Sequence, residues 1–497
     1  MELRRLVYSL LITIAVGAAI GRVLSTQRVY EPHLAPPPGV KNDYRYQAWP
    51  ATPPLAVPTF SSNDRSRWDT VRALVDDGTF VIGYHDPSLI SPDNPEGITG
   101  IASEDGWKTV DKVLHPERQV FLSSKPPLLT VLMAGQYWLL KHTLGWSITE
   151  QTYEVVRAGL LTFNVLPFAL YLWLLTLLVE RFGATDWGRL FVVAAAAFGT
   201  LLTPFLIVFN NHTPAAVAAL VALYAVLRAS FPWQGENQAK IGWFILCGLA
   251  AGFLVNCELP GLAFAALLGL WLLVRAPGRT LLGFVPPVLL FIALYFSLNY
   301  RATGQLLPVY EKIDTPWYQY PGSIWAKIHP GQGRGIEFAK FIESRWMYAF
   351  HLFFGHHGWF SLTPIYLLSA AGMVVGVANL GKRWTGPKDS KPGISWDVLA
   401  VGALLTSVIV FVFYAFVVST ANYGGWTNGP RWLLWLTPLW LLCLQPIADK
   451  LATCRWGRTL ALVLLAFSVL SASYQLWNPW RHPWIYNLMD AHGWLPY

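Results

Sequence analysis

Lys125–Leu144 reads KPPLLTVLMAGQYWLLKHTL, and the architecture of the chain turns on whether this stretch crosses a membrane. Leu128, Leu132, Tyr137, Leu139 and Leu140 supply an apolar face, but Gln136, Lys141 and His142 interrupt it. A helix of that character lies in the interface plane, apolar side down. Counted as a span, it would reverse the side of every later loop and destroy the charge asymmetry described below. It is therefore read as an interfacial helix inside a large loop.

That loop belongs to a membrane protein. Of 497 residues, 54% are hydrophobic and 13% charged, against about 25% charged in ordinary soluble domains. Such a chain cannot cover its apolar surface with polar side chains, so lipid must. The 25 Trp, 21 Tyr and 27 Phe suit interfacial belts. The net charge of +8 resides mostly in short loops beside apolar stretches, which is where orientation signals sit. No nucleic-acid-binding function is expected. Cys247, Cys257, Cys443 and Cys454 lie in or beside the apolar stretches, without metal-ligand spacing and with none in the large loops. Neither a disulfide framework nor a zinc site is indicated.

Apolar stretches long enough to span fall near 6–23, 156–179, 188–208, 213–230, 241–256, 260–274, 280–298, 358–379, 397–419, 431–448 and 459–475, about eleven in all. The expected fold is all-α and polytopic, with interfacial helices in the first large loop. With the N-terminus inside, Arg4, Arg5, Arg181, Arg189, Arg228, Lys240, Arg275, Arg279, Lys382, Arg383, Lys388, Lys391, Lys450, Arg455 and Arg458 are all cytoplasmic. The outer segments after 419 carry only Arg431 and Arg481. This is the positive-inside asymmetry, and it predicts a multi-pass protein of the cell membrane. The chain then divides into a first span (1–23), an outer loop with two interfacial helices (24–155), spans two to seven (156–298), a second outer loop (299–357), spans eight to eleven (358–475) and an outer tail (476–497). The first span follows Arg4-Arg5 as a signal peptide would, but no small-x-small site follows it, and retention is expected. Pro36-Pro37-Pro38 and Pro53-Pro54 read as an extended tether.

Within the first loop, Asn63-Asp64-Arg65-Ser66-Arg67-Trp68 opens a helix to Asp77, with Trp68, Val71, Leu74 and Val75 as its apolar stripe. Asn63 or Asp64 is the expected N-cap, and Gly78 follows the end. Asp64 has two readings of equal weight from the residues alone, a helix cap or a reactive carboxylate among Arg65, Arg67, Arg72 and Lys125. A carboxylate takes a proton from a hydroxyl, and clustered cations hold a phosphate.

These motifs resemble the GT-C glycosyltransferases, in the protein O-mannosyltransferase-like branch (family 39-like) that includes the lipid A aminoarabinose transferase. The likeness is carried by Asp64, Arg67 and Trp68, by Lys125-Pro126-Pro127, and by Gly424-Gly425-Trp426-Thr427-Asn428-Gly429-Pro430-Arg431. It implies a GT-C fold and an inverting transfer of a sugar from a polyprenyl-phosphate donor on the outer face. The acceptor class, whether lipid, protein or cell-surface glycan, stays open. Asp64 would be the catalytic carboxylate, while Lys125, Arg65, Arg67 and Arg431 hold the donor phosphate. Relatives often pair two acidic residues where this chain has Asn63 and Asp64, so a metal resting on the second carboxylate is not implied. An Asp/Pro/Gly-rich insertion around 86–106 lengthens the spacing from Asp64 to Lys125.

Other polar groups at the outer face complete the candidate pocket with Trp68 and Trp426. Asn211 and His212 in Phe209-Asn210-Asn211-His212-Thr213-Pro214 are either sugar contacts or a polar turn, the turn being the simpler account. Glu258, at the outer end of an apolar hairpin, would orient a cation such as Lys125 or Arg431. Its burial at membrane depth costs about 2.5–3.5 kcal/mol on insertion scales. His351, His356 and His357 read as wet histidines on an interfacial aromatic helix rather than metal ligands. Tyr310, Tyr318 and Tyr320 either stack on a sugar or anchor the second loop. The rival reading is a transporter or lipid flippase, against which stand the loop position of the charge and the lack of an internal repeat.

Overall fold

The computed structural model describes residues 2–28, 56–230, 240–309, 314–331, 335–385, 396–418 and 420–497. The proline tether, Tyr310, Lys388 and Lys391 lie outside them.

Helices dominate: α1 (Glu2–Leu24), α2 (Ser62–Arg72), α3 (Pro127–Leu144), α4 (Thr152–Phe182), α5 (Asp186–Phe198), α6 (His212–Ser230), α7 (Ile241–Cys257), α8 (Leu262–Arg275), α9 (Pro277–Thr303), α10 (Arg345–Phe353), α11 (Ile365–Thr385), α12 (Trp396–Val417), α13 (Arg431–Leu451), α14 (Arg455–Tyr474) and α15 (Trp484–Ala491). By length and composition, α1, α4, α6, α9, α11, α12, α13 and α14 are the 8 helices able to cross a membrane among the described residues. The shorter α7 and α8 are apolar as well. The expected stretch 188–208 departs most from a span. Its helix stops at Phe198, and a 3-10 turn, Pro204–Ile207, follows. Gly199 and Pro204 interrupt the apolar run there, and hydropathy alone does not register such breaks.

Burial separates the core of the bundle from its rim. The crossing windows of α6 and α13 are 83% and 78% buried, whereas those of α1 and α9 are 22% and 17% buried. The first two are therefore central, and the last two present leucine-rich faces outward. Helix α6 can be central because Ala215, Ala216, Ala219, Ala222 and Ala225 keep its surface small enough for α7 and α13 to approach closely. Gly372 serves the same end on α11. A Cβ there would lie 1.9 Å from the Cys443 carbonyl of α13. Gly372→Ala should destabilise the protein by about 1–3 kcal/mol through overpacking, read as a lowered unfolding temperature in detergent. A variant as stable as the parent would show that the two helices are not held in contact.

Ion pairs fix which helix ends share a face. Arg4, at the start of α1, binds Glu180 near the end of α4 at 2.5 Å and also pairs with Asp186 at the start of α5. Asp449, near the end of α13, accepts the Thr185 N–H at 2.8 Å. The starts of α6 and α13 and the end of α7 meet at the opposite face, as the alternation of loops predicts.

One correction concerns the fold class. The first loop is not purely helical. Strands β1 (Val81–His85), β2 (Ile98–Thr99), β3 (Lys112–Leu114) and β4 (Val120–Ser123) form an antiparallel sheet in the order β2-β1-β4-β3. Ile82, Ile98, Ile101, Phe121 and Tyr320 make its small core. The insertion at 86–106 is thus partly folded and supplies β2. Helix α3 forms as expected and is not among the crossing candidates. It packs on α2 and exposes Leu132, Trp138, Leu139 and Leu144 on another side, as an interfacial helix does.

Candidate active site

Helix α2 begins with a capping box. Ser61 is the N-cap, in place of the expected Asn63 or Asp64, and its hydroxyl accepts the Asn63 N–H at 3.0 Å. Asp64 stands at the third helical position. Its two oxygens accept the Ser61 N–H at 2.7 Å and the Phe60 N–H at 3.0 Å. The carboxylate is 1% exposed, and burial raises its pKa against the lowering by those two N–H groups. Both oxygens are engaged in holding the helix start.

The same helix aims Arg67 into the protein. Trp68 is wholly buried, 5.0 Å from the Phe209 ring, so it anchors the helix and fixes its rotation. Arg67 Nη2 then donates to Asn211 Oδ1 at 2.7 Å, and Nη1 donates to the Asn63 carbonyl at 3.0 Å. Asn211 passes the connection on, its Nδ2 donating to Glu258 Oε1 and to the Cys257 carbonyl, each at 2.8 Å. His212 Nδ1 pairs with the same Glu258 oxygen. Glu258 thus holds Asn211 and His212, through Asn211 it steadies Arg67, and it also acts electrostatically on Arg431, one of the cations it was expected to orient. Among the described residues, His212 Nε2 is buried with no hydrogen-bond partner.

Lys125 brings in a carboxylate that the motifs did not reveal. Its Nζ lies 2.6 Å from Asp111 Oδ1, and the two side chains are 14% and 16% exposed. Strands β3 and β4 create the pair. Asp111 precedes β3 and Lys125 follows β4, and the register sets Lys112 opposite Ser123. Helix α2 is tied to the same place, since Ser66 Oγ donates to the Asp111 carbonyl at 2.6 Å. Burial alone would raise the Asp111 pKa, yet Lys125, Arg431 and Arg67 together hold it below the usual carboxylate range.

Arg431 arrives on the glycine-rich loop. Gly424 and Gly425 both have positive φ, at 93° and 74°, and each sits where a side chain would not fit. A Cβ on Gly424 would lie 2.9 Å from Arg431 Nε, and one on Gly425 would lie 2.9 Å from Glu337 Oε1. Arg431 lies over the Trp480 ring at 5.0 Å. Glu337, from the second loop, accepts from Asn422 Nδ2 at 2.6 Å, and burial pushes its pKa up. Asp111, Glu258 and Glu337 all act on Arg431 electrostatically.

The sequence-predicted residues therefore divide. Arg67, Lys125 and Arg431 converge, within electrostatic range of Asp111. Asn211, His212 and Glu258 form the buried support behind Arg67. Arg65 is partly buried, its Nε donating to the Ser61 carbonyl at 3.2 Å. Trp426 is 42% exposed and leans on His482 at 4.9 Å, at the surface. Tyr318 and Tyr320 are buried against the sheet, so they anchor the second loop. His351, His356 and His357 are buried, in contrast to the expected wet histidines. Asp111, Glu337 and Asn422 were missed. The only trace of Asp111 was the β-like pattern of Val110-Asp111-Lys112-Val113-Leu114, which a two-helix reading of the loop passes over.

A narrow pocket with a cavity volume of about 20 Å³ adjoins Lys125, bordered by Thr70, Leu122, Thr130, Asn299 and Thr303. It runs between α3 and the outward-facing α9.

No family model and no curated protein matches this sequence. Among solved structures, the chain is similar to the oligosaccharyltransferase of Archaeoglobus fulgidus. The apo form has a TM-score of 0.48 at 12% identity, covering 98% of this chain and 57% of that one. The complex with Zn and sulfate gives 0.46 at 13%, with 97% and 55% covered. The archaeal enzyme with an inhibitory peptide and a dolichol-phosphate gives 0.44 at 13%, with 97% and 57% covered. The chain spans little more than half the length of these neighbours.

Proposed function

We propose that this protein is a membrane glycosyltransferase that moves a sugar from a polyprenyl-phosphate donor to an acceptor hydroxyl, with inversion, on the extracytoplasmic face. The observation that carries the reading is the convergence of Arg67, Lys125 and Arg431 around Asp111, beside a narrow pocket that α9 helps to line. Three enclosed cations with one close carboxylate make a site for a dianionic or monoanionic phosphate. The lipid-facing position of α9 suits a donor whose tail stays in the bilayer. The cytoplasmic N-terminus follows from the charge asymmetry and belongs to the same proposal.

In this mechanism the donor phosphate displaces Asp111 from Lys125 and takes the three cations for itself. Their neutralisation raises the basicity of Asp111. Asp111 then accepts the proton of the acceptor hydroxyl as its oxygen attacks the anomeric carbon. The bond from that carbon to the phosphate oxygen breaks opposite, its electron pair passing to the phosphate, where the cations stabilise the charge. The resemblance implies Asp64 as the base. We assign Asp64 instead to the start of α2, because its oxygens already hold two backbone N–H groups. Glu337, which holds Asn422, lies within electrostatic range of Asp111 and would orient the acceptor.

The direct test is donor turnover in lipid nanodiscs with a panel of polyprenyl-phosphate sugars, following carrier release by mass spectrometry. Release that requires Lys125 supports the reading, and no release with no donor-dependent stabilisation rejects it in favour of transport. The pH profile adds a second check. Burial, with Arg67 and Arg431 nearby, pulls the Lys125 pKa down to about 8 despite Asp111. Lys125 is charged below that pH and neutral above it, so kcat/KM for donor should fall as pH rises through about 8. Lys125→Arg, which stays charged, should move the fall upward. A profile flat to pH 10 in the parent would remove Lys125 from the phosphate site.

A further inference from the structure

The buried histidines form a site that the transfer mechanism does not use. Glu343, His351 and His356 place one ligand atom each within 4.8 Å of one another. The Glu343 side chain is 2% exposed, and its Oε1 lies 3.8 Å from His351 Nε2. Among the described residues, that oxygen and His351 Nδ1 have no hydrogen bond of full geometry. The other carboxylate oxygen accepts from the Tyr423 hydroxyl. The His356 ring stacks on His351 at 4.2 Å, and its Nε2 lies 2.8 Å from the Tyr497 hydroxyl. The Tyr497 hydroxyl also acts on the Glu343 carboxylate, so one hydroxyl serves both that carboxylate and His356, and a cation would complete the donor set of a carboxylate facing two imidazoles.

We propose that Glu343, His351 and His356 form a divalent metal site of the zinc class, with the Tyr497 hydroxyl facing the fourth position. Two imidazoles and one carboxylate are a borderline donor set, which favours zinc over magnesium or calcium. Zinc bonds of about 2.0–2.2 Å require the three atoms to draw together by about 1 Å, within reach of side-chain rotation.

The ion would tie α10 and the segment before it to the glycine-rich loop. Tyr423, bonded to Glu343, has φ of 58° and stands between Asn422 and Gly424. The loop that carries Arg431 is thereby fixed at its root. This proposal is independent of the transfer reaction.

The test uses the full chain in nanodiscs, stripped with chelator, dialysed with zinc and then measured for metal content and for cobalt absorption in the visible range. Stoichiometric zinc and a tetrahedral cobalt spectrum are expected in the parent. Both should vanish in His351→Ala, and affinity should fall at least about tenfold in Glu343→Gln, which keeps an acceptor for the Tyr423 hydroxyl. Should His351→Ala fail to fold, Glu343→Gln decides alone. No stoichiometric zinc in the parent, or unchanged binding in the variants, overturns the proposal. Binding that survives Glu343→Gln but is lost in an Asp111→Asn, Glu337→Gln pair would place the metal elsewhere and overturn it equally.

Discussion

Asp111→Asn is expected to lower donor turnover by about two to four orders of magnitude, the range that a lost general base commands. The substitution keeps the size of the side chain and leaves the Asp111 carbonyl, which Ser66 uses, untouched. Its effect should therefore be chemical rather than structural. The signature lies in the split between kcat and KM. Asp111 now competes with phosphate for Lys125 at 2.6 Å, so removing its charge should leave the donor KM unchanged or lower while kcat collapses. Asp64→Asn gives the contrast. An amide oxygen still accepts one of the two N–H groups that Asp64 holds, and a weakened cap costs about 0.5–2 kcal/mol. That variant should lose stability and keep turnover within about tenfold. The reverse pattern, with Asp64→Asn inactive at full occupancy of donor and Asp111→Asn active, would restore Asp64 as the base.

Most of the helical frame was legible because spans announce themselves by length and hydropathy, and every expected span meets a helix. Helix ends are tied together by Arg4 with Glu180 in one place and by Arg67 with Asn211 in another. Lys125 and Arg431 were legible as motif residues. The sheet was not, because β2 spans only Ile98–Thr99 and its pairing is non-local. Asp111 and Glu337 were hidden for the same reason. Neither sits in a motif, and each gains meaning only when a strand register or a glycine-rich loop brings a cation to it. The histidines misled in the opposite direction. A run such as His356-His357 beside Phe353 and Phe354 looks like a wet interface, and only the packing of Tyr423, Tyr486 and Tyr497 around it makes it interior.

Glu258→Leu should be the most destabilising single change in the cluster around Arg67, at about 3–5 kcal/mol. Glu258 is 5% exposed and one of its oxygens serves both Asn211 Nδ2 and His212 Nδ1. Leucine leaves His212 Nδ1 without its acceptor and takes one of two from Asn211 Nδ2, which keeps the Cys257 carbonyl, and an orphaned buried donor costs about 1–3 kcal/mol. It also strips a countercharge from Arg67, itself 2% exposed and bonded to Asn63 and Asn211. Glu258→Gln separates the two contributions. Its amide oxygen still accepts one hydrogen bond but carries no charge, so it should fall between leucine and the parent in unfolding temperature. Arg67→Met made together with Glu258→Leu removes both charges. If the pair is linked through Asn211 as the distances indicate, the double variant should be less destabilised than the sum of the singles. Additive losses would mean that Glu258 supports only the turn at Asn211 and His212. Full stability in Glu258→Leu would mean that water, not Glu258, satisfies these groups.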